Sequence, residues 1–483
     1  MNLRLSLNII GHFLKFLGLL MLLPAVCSLI YREDDLWVFL ASALFTSTFG
    51  MVLEGITKVA DKPEELERKD GFFIASMCWF TASIFGALPY IIYGALSNPI
   101  DAFFEAVAGF TTTGASVIKN VEVLPHGILF WRNFTQWLGG MGIILLGIAI
   151  LPRLAVGGMQ LMALEAPGPT TEKLTPRIAE TAKKLWGVYL LFSLIQVFLL
   201  FIAGMPLFDS VVHMFSTMST GGYSSKNLSI GAYGSPVIEF IVVFFMLIAG
   251  TNFALLYWVF RGNPIKLLKD TEFRFYVLLN AVSIILISLE LWLKKYPSIF
   301  EALRFASFQV ISISTTTGYA TDNFDLWPSF SKWLLLILMF VGGCAGSTSG
   351  AIKNIRIIIL LKKAHRELQR LIYPKAVLPI RVANRVVSEE VTSSIMSFFY
   401  LYILVFLIGT LLVMAEGVPL ITAISACAAT IGNVGPGLEL VGPAMNYSGL
   451  SNLSKFVLSL LMLLGRLELF TILVLFIPAF WKK

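Results

Sequence analysis

The chain has 483 residues, of which 57% are hydrophobic and 13% are charged, and its formal net charge is +7. Its mean hydropathy of +0.81 excludes an ordinary soluble domain, in which about 25% of the residues are charged. The positive charge alone is compatible with nucleic-acid binding, but Lys and Arg cluster between alternate hydrophobic runs, as membrane topology requires. The composition therefore predicts a multi-pass membrane protein that binds no nucleic acid.

Ten hydrophobic runs are long enough to cross a bilayer, which takes roughly 20 helical residues. In chain order, these runs comprise residues 7–31, 36–59, 72–96, 128–152, 183–204, 236–260, 272–293, 330–361, 392–415 and 453–480. The first run has the length of a membrane helix and is followed at once by a second run. We therefore expect it to be retained and not cleaved as a signal peptide.

The basic residues lie in the connections between alternate runs. Their clusters comprise residues 58–69, 153–184, 261–274, 353–385 and 482–483. Because Lys and Arg stay on the cytoplasmic side of a membrane, we expect both termini to be cytoplasmic. The cluster at 353–385 also suits anionic lipid headgroups or an acidic face of another protein.

Four short, similar segments recur at near-even spacing between the runs. Three of them end in Thr-Gly, and the fourth reads Ala-Thr-Ile-Gly. Such repetition predicts four copies of one structural unit. The candidate loop residues are Thr111, Thr112, Thr113 and Gly114, then Met218, Ser219, Thr220 and Gly221, then Thr315, Thr316, Thr317 and Gly318, and last Thr430, Ile431, Gly432 and Asn433.

Each segment follows an apolar stretch that is too short to span a bilayer. These stretches comprise residues 99–110, 206–217, 299–313 and 418–429. Three of the stretches carry acidic residues near their starts: Asp101, Glu105, Asp209 and Glu301. We expect these residues to lie in the first turns of the helices, where the helix dipole is positive. The pattern predicts four re-entrant helices whose C-terminal ends point toward one axis in the membrane.

Extended backbone inside a membrane is tolerated only where it is buried in protein or lines a watery cavity. Rings of backbone carbonyls, supplemented by threonine hydroxyls, can replace the water around a cation, and glycine allows the positive φ that such a loop needs. One such segment alone is more often a polar turn or a helix contact. Four segments, each behind a short helix, predict a cation-selective pore.

The chain resembles the TrkH family, the membrane subunits of bacterial Trk potassium uptake systems within the Trk/Ktr/HKT superfamily. The resemblance covers almost the whole chain. Besides the four loops, it rests on strings at residues 157–160 (GGMQ), 165–169 (EAPGP), 173–182 (KLTPRIAETA) and 342–348 (GGCAGST). It implies an all-α membrane protein of the bacterial inner membrane, with ten transmembrane helices, four re-entrant pore helices and four pseudo-repeats around one ion pore.

The resemblance also implies how the chain is divided and what it binds. Two extra helices precede the repeats, and the protein is a homodimer with a pore in each subunit. A cytosolic TrkA-like ring supplies any nucleotide, so the chain itself needs no covalent cofactor and carries K⁺ only as the transported ion. The expected units are residues 1–70, 71–155, 156–262, 263–388 and 389–483.

The resemblance points to selectivity for K⁺ and Rb⁺, because relatives that favour Na⁺ carry serine where this chain has Gly114. The residues after the four glycines nevertheless differ from loop to loop. A ring of dissimilar loops should be less regular than a homotetrameric filter. We therefore expect few well-formed ion sites and imperfect exclusion of Na⁺.

The eighth hydrophobic run contains a cluster of small residues. Each interior glycine costs about 1 kcal/mol of helix preference, so the run is expected to unwind, although such clusters are more commonly contacts between membrane helices. The resemblance implies an intramembrane gating loop at this position. The candidate gating residues are Gly342, Gly343, Gly346, Ser347, Thr348, Ser349, Gly350 and Lys353.

Arg466 is a second candidate for gating. It lies near the middle of the run 453–480, where a charge costs about 2.5–3.5 kcal/mol and needs a partner or water. Pairing with Glu468 is unfavourable, because residues two apart on a helix do not face each other. In the family the matching arginine lies beneath the filter, where a positive charge opposes cation passage.

Three functions remain open at this point, and we find no motif of an enzyme. The first is a gated K⁺ channel. The second is a secondary transporter that couples K⁺ to H⁺ or Na⁺, since such transporters also have repeats and broken helices. The third is a receptor or scaffold, which leaves the four loops unexplained. Three acidic residues follow the third and fourth loops: Asp322, Asp325 and Glu439. They are compatible with the attraction of cations and equally with an ordinary solvated surface.

Overall fold

A computed structural model describes residues 1–57, 66–142, 178–383 and 385–482. In these residues the chain is mostly helical, with one two-stranded antiparallel hairpin, β1 Arg381–Val382 and β2 Arg385–Val386. The helices are α1 Leu3–Leu20, α2 Leu22–Tyr31, α3 Leu36–Ile56, α4 Arg68–Gly86, α5 Leu88–Tyr93, α6 Pro99–Phe110, α7 His126–Gly140, α8 Ile178–Ile202, α9 Leu207–Met218, α10 Pro236–Ala249, α11 Phe253–Phe260, α12 Ile265–Lys269, α13 Thr271–Lys294, α14 Ile299–Ser314, α15 Ser329–Leu338, α16 Asn354–Ile372, α17 Glu389–Ala415, α18 Leu420–Ile431, α19 Asn452–Arg466, α20 Phe470–Leu473 and α21 Pro478–Trp481.

Several helices are long and apolar enough to cross a membrane. In the described part of the chain there are six: Leu3–Tyr31, Leu36–Ile56, Arg68–Tyr93, Ala182–Ile202, Thr271–Lys294 and Glu389–Ala415. Two bent pairs, α10 with α11 and α19 with Phe470–Phe476, raise the number to eight. The prediction of a multi-pass membrane protein is confirmed. Of the other two expected runs, 128–152 continues beyond the described residues and 330–361 is divided between α15 and α16.

Four short helices recur in the fold: α6, α9, α14 and α18, of 12, 12, 16 and 12 residues. Each lies within two residues of the stretch that the sequence predicted. Asn98 and Ser298 cap two of them by accepting backbone amides, whereas Pro206 and Pro419 precede the other two. An expectation about α6 was wrong, because Glu105 lies in its second turn and only Asp101 lies in the first.

After each short helix the chain forms a loop, a 3₁₀ turn and a return helix. The return helices are α7, α10, α15 and α19, and each ends or bends at a similar distance from its start. The axes of α10 and α11 differ by 106°, and those of α19 and Phe470–Phe476 by 109°. The sequence predicted such a break only in the third repeat, between α15 and α16.

The remaining elements surround the repeats. Helices α1 and α2 pack against α4 and α7 of the first repeat. Helix α16 leads to the β-hairpin, and its buried Arg366 forms an ion pair with Glu389 at the start of α17. Several predicted features lie outside the described residues, namely the strings at 157–160 and 165–169, most of the string at 173–182, and the basic residues at 58–65, 153–177 and 483.

Candidate functional site: a ring of four loops

The four loops share one pattern of backbone hydrogen bonds. In the first loop, the amide of Thr113 donates to the carbonyl of a residue five positions earlier, at 2.9 Å. The same bond begins at Gly221, Thr317 and Val434 in the other loops, at 2.7–2.8 Å. These four residues are therefore equivalent, and we call them the third position of their loops. The loops then comprise residues 111–114, 219–222, 315–318 and 432–435.

The backbone angles repeat in the same register. The second position is left-handed in every loop, with φ between +53° and +60° at Thr112, Thr220, Thr316 and Asn433. The fourth position is a glycine with φ between +76° and +102° in every loop: Gly114, Gly222, Gly318 and Gly435. Glycine adopts positive φ without the strain that a side chain adds, so the backbone favours glycine at the fourth position.

The loops form a closed ring through their third and fourth positions. A Cβ atom on Gly435 would lie 2.6 Å from the carbonyl oxygen of Thr113, and one on Gly114 would collide with the carbonyl oxygen of Gly221. Gly222 and Gly318 stand in the same relation to Thr317 and Val434. Each glycine thus lies against the next loop's carbonyl, and the fourth loop returns to the first.

Two loops occupy a different register from the one that the sequence predicted. Met218 is the last residue of α9, and Thr430 and Ile431 are the last residues of α18. The second loop is therefore shifted by one residue and the fourth by two. The error arose because the segments were aligned on their first glycines, Gly221 and Gly432, whereas the glycines with positive φ in these two loops are Gly222 and Gly435.

Buried oxygen atoms of the ring are available to a ligand. In the described residues, Oγ1 of Thr112 and Oδ1 of Asn433, both at the second position, have no hydrogen-bond partner. Since buried polar atoms are normally paired, these oxygens fit the needs of a dehydrated cation. A cavity of about 170 Å³ lies on the other side of the ring and is lined by all four fourth-position glycines.

The segment 342–353, which we call the small-residue loop, lies against the second-position side of the ring. Thr348 Oγ1 donates to the carbonyl of Met218 at 3.0 Å and lies 3.3 Å from Oγ1 of Thr220. The amide of Gly350 donates to Oγ1 of Thr316 at 2.7 Å. The predicted unwinding of this run is thus present. The unwound segment forms hydrogen bonds with the second and third loops, and its Gly350 also lies against Gly432 of the fourth.

An acidic residue that the sequence analysis missed anchors both ends of the small-residue loop. Oε1 of Glu272, in the first turn of α13, accepts the amides of Ala345 and Ile355, each at 2.8 Å. Within the loop, the buried Nζ of Lys353 donates to the carbonyl of Ser349. The available sequence signal was an acidic residue at the start of an apolar run, which is costly unless it has partners.

Arg466 joins the small-residue loop to the first repeat. Its Nη1 donates to the carbonyl of Thr348 at 2.8 Å, and its Nη2 donates to the carbonyls of Gly139 and Gly140 at 2.6 and 2.8 Å. Arg466 does not lie in mid-helix as expected, because α19 ends there and the chain bends. Glu468 pairs instead with Arg356.

A buried ion pair supports the first and second loops from behind. Nε of Arg132, on α7, lies 2.7 Å from Oε1 of Glu105, on α6. Nη1 of Arg132 also donates to the carbonyl of Ser224, which follows the second loop, at 3.1 Å. Removing one partner of a buried pair typically costs about 3–5 kcal/mol. The pair therefore holds α6 against α7, and the bond to Ser224 links the first repeat to the second.

Asp322, beyond the third loop, binds neighbouring side chains rather than facing solvent alone. Its carboxylate accepts hydrogen bonds from Lys295, Tyr296 and Trp327, at 2.5–2.7 Å. Burial raises the pKa of this carboxyl, but these three hydrogen bonds outweigh burial and bring the pKa below its ordinary value. The contacts favour a structural role over the attraction of cations.

We therefore expect Asp322→Asn to lower the free energy of unfolding by about 1–2 kcal/mol at pH 7, the value of a partly exposed charged hydrogen-bond group. A lowered carboxyl pKa stabilises the fold above the unfolded pKa, and that stabilisation disappears as the pH falls through the folded pKa. The difference in melting temperature between wild type and variant should thus be present at neutral pH and shrink below about pH 4. A difference independent of pH would contradict this assignment.

The sequence and the structure both resemble those of known proteins. Residues 38–483 match the family model TrkH, described as a cation transport protein. The Trk system potassium uptake protein TrkH of Salmonella typhimurium is 42% identical and that of Escherichia coli 41%, each over the full length of both chains. The crystal structure of the potassium transporter TrkH from Vibrio parahaemolyticus superposes with a TM-score of 0.90 at 38% identity, also over both whole chains. The chain therefore belongs to the TrkH family of cation transport proteins.

Proposed function

We propose that the chain is the membrane subunit of a potassium uptake system and conducts K⁺ through one gated pore. The observation that carries this proposal is the closed ring of four loops, in which each fourth-position glycine packs against a carbonyl of the next loop. Such a ring supplies several carbonyl oxygens around one axis, as the removal of water from a cation requires. The relatives' names specify potassium uptake.

In this proposal the selectivity filter consists of the four loops in their observed register. The short helices α6, α9, α14 and α18 are re-entrant pore helices, and their C-terminal ends direct partial negative charge toward the ion. The filter accepts K⁺ and Rb⁺ and excludes Na⁺ imperfectly. Its residues are Thr111, Thr112, Thr113, Gly114, Ser219, Thr220, Gly221, Gly222, Thr315, Thr316, Thr317, Gly318, Gly432, Asn433, Val434 and Gly435.

The gate in this proposal is the small-residue loop together with Arg466. Support comes from the contacts of Thr348 and Gly350 with the ring and from the hydrogen bond that joins Arg466 to Thr348. An ion that leaves the ring on this side meets backbone, Lys353 and Arg466. Two positive charges near the path oppose a cation, so opening requires that the loop and Arg466 move apart.

The proposal extends to the assembly. The chain forms a homodimer in the bacterial inner membrane, with ten transmembrane helices and both termini in the cytoplasm. A cytosolic TrkA-like ring of nucleotide-binding subunits controls the gate, and membrane lipid covers the apolar faces. The basic stretch that contains α16 and the β-hairpin suits an acidic partner or anionic headgroups.

Reversal potentials of the purified protein in a planar bilayer test this function. In a K⁺ gradient we expect a reversal potential close to the K⁺ equilibrium potential, and a smaller but measurable permeability for Na⁺. A superimposed proton gradient should leave the reversal potential unchanged. A shift with the proton gradient would instead favour the alternative, a secondary symporter that couples K⁺ to H⁺. Coupling to Na⁺ is tested separately, by measuring the ratio of Na⁺ to K⁺ transported. Absence of any ion flux from folded protein would refute both.

A further inference from the structure

One side chain touches the ring of loops directly from behind. Gln136, on the first return helix α7, is fully buried, and its Nε2 donates to the carbonyl of Gly221 at 2.7 Å. Its Oε1 accepts the amide of Tyr223 at 3.0 Å. Gln136 thus holds the backbone on both sides of Gly222, although it belongs to the first repeat and the loop belongs to the second.

The equivalent residue of each other repeat is methionine. Gln136 lies ten residues after the first residue of α7, and Met246, Met339 and Met462 lie ten residues after the first residues of α10, α15 and α19. All three methionines are fully buried, like Gln136. A thioether accepts hydrogen bonds weakly and donates none, so only the first repeat presents a donor here.

The loop that faces Gln136 is exceptional at the same place. Its third position is Gly221, whereas the third positions of the other loops are Thr113, Thr317 and Val434. A Cβ atom on Gly221 would collide with the amide group of Gln136. The Gln136 amide therefore occupies the space that a side chain fills in the other loops. Glutamine replaces methionine on α7, and glycine replaces a larger residue in the second loop, so the two differences are complementary.

The hydrogen bond changes the electrostatics of one ligand carbonyl. A donor places its positive end next to the carbonyl oxygen and weakens the field that this oxygen presents to an ion, and the effect is strong in a buried site of low dielectric constant. In the described residues, no side chain donates to the third-position carbonyls of Thr113, Thr317 or Val434. A weaker field favours large cations over small ones, because the smaller ion gains more from a strong one.

We propose that Gln136 is a positioning residue that sets ion selectivity through the Gly221 carbonyl, favouring K⁺ and Rb⁺ over Na⁺. This inference rests on the proposed function, since it assumes that the third-position carbonyls bind the ion. The side-chain donor that affects selectivity is present in the first repeat and is replaced by methionine in the other three. The inference also predicts that the ratio of permeabilities, and not only the total conduction, depends on the residue at 136.

The test is Gln136→Met, which installs the residue of the other three repeats. We expect the Na⁺ to K⁺ permeability ratio, measured from bi-ionic reversal potentials, to rise roughly fivefold, the factor that one net hydrogen bond supplies. The Rb⁺ to K⁺ ratio should fall. Met246→Leu is the matched control at the equivalent position, and both ratios should stay at their wild-type values in that variant.

Gln136→Leu is the second variant, because it is uncharged, has a branched shape unlike that of methionine, and can neither donate to Gly221 nor accept from Tyr223. If Gln136→Met does not yield folded protein, this variant decides the question by the same ratios. Unchanged ratios in a folded Gln136 variant, with wild type selective for K⁺, would overturn the inference and leave the proposed function intact. A wild-type protein without K⁺ selectivity would refute the proposed function itself.

Discussion

Replacing Gly318 by alanine should reduce K⁺ conduction of the folded protein at least ~100-fold. The residue has φ +82°, and a Cβ atom there would collide with the carbonyl oxygen of Val434 in the next loop. The positive φ alone costs a non-glycine residue about 1–2 kcal/mol. The collision must in addition turn or displace a carbonyl of the proposed filter, and each ~1.4 kcal/mol lost corresponds to a tenfold effect. Single-channel or ⁸⁶Rb⁺ flux measurements in proteoliposomes give the result.

The chain offers a matched control for this substitution. Gly94, after α5, has the same φ of +82°, but no heavy atom lies within 4 Å of a Cβ built there. Gly94→Ala therefore carries the same backbone strain without the collision, and its conduction should remain close to that of wild type. Equal losses of K⁺ conduction in the two variants would mean that backbone strain, and not the geometry of the ring, is responsible. Normal conduction in Gly318→Ala would show that the third loop is not part of the filter.

Replacing Arg466 by alanine should raise the basal K⁺ flux roughly tenfold or more in the absence of any activating partner. The substitution removes both the hydrogen bond to the Thr348 carbonyl and the two bonds to Gly139 and Gly140. It also removes a positive charge near the proposed ion path, where repulsion at ~8 Å with an effective dielectric constant of ~20 amounts to about 2 kcal/mol. Flux into K⁺-loaded proteoliposomes measures the change.

Arg466→Lys separates the two contributions. Lysine keeps the charge but cannot form the forked contacts of a guanidinium. The Arg466→Lys variant therefore loses the hydrogen bonds to the three carbonyls and retains the electrostatic barrier. We expect a flux between those of wild type and Arg466→Ala. If Arg466→Ala folds and its flux equals that of wild type, Arg466 has no part in gating. If lysine and alanine give the same increase, the hydrogen bonds alone hold the gate shut.

The sequence predicted those parts of the fold that depend on local patterns. The short helix α6 has the predicted bounds, and α9, α14 and α18 differ by at most two residues, because an apolar stretch with a polar or proline start determines a helix locally. The unwinding before Lys353 was predictable for the same reason, since glycines are concentrated there. The helix periodicity carries no such signal for α10 and α11, where a single glycine, Gly250, precedes the bend of 106°.

The register of the loops could not be read from the sequence, because it depends on contacts between repeats. The first glycine of the fourth segment, Gly432, has a right-handed backbone, and Gly435 is the residue that meets the carbonyl of Thr113. The roles of Glu272 and Gln136 were missed for the same reason. The partners of Gln136 lie in another repeat, and those of Glu272 lie 73 and 83 residues further along the chain. A single sequence shows no sign of such pairing.

The breaks in the second and third repeats have a consequence for biogenesis. The amide of Cys344 donates to the carbonyl of Gly250 at 2.9 Å, and the amide of Phe253 donates to the carbonyl of Gly346 at 3.0 Å. Each unwound segment therefore satisfies the other's backbone, and lipid satisfies neither. When α10 and α11 leave the ribosome, residues 342–350 have not been synthesised. We therefore expect the second repeat to reach its final form only after residues 342–350 have been added, so that the two repeats complete their folding together.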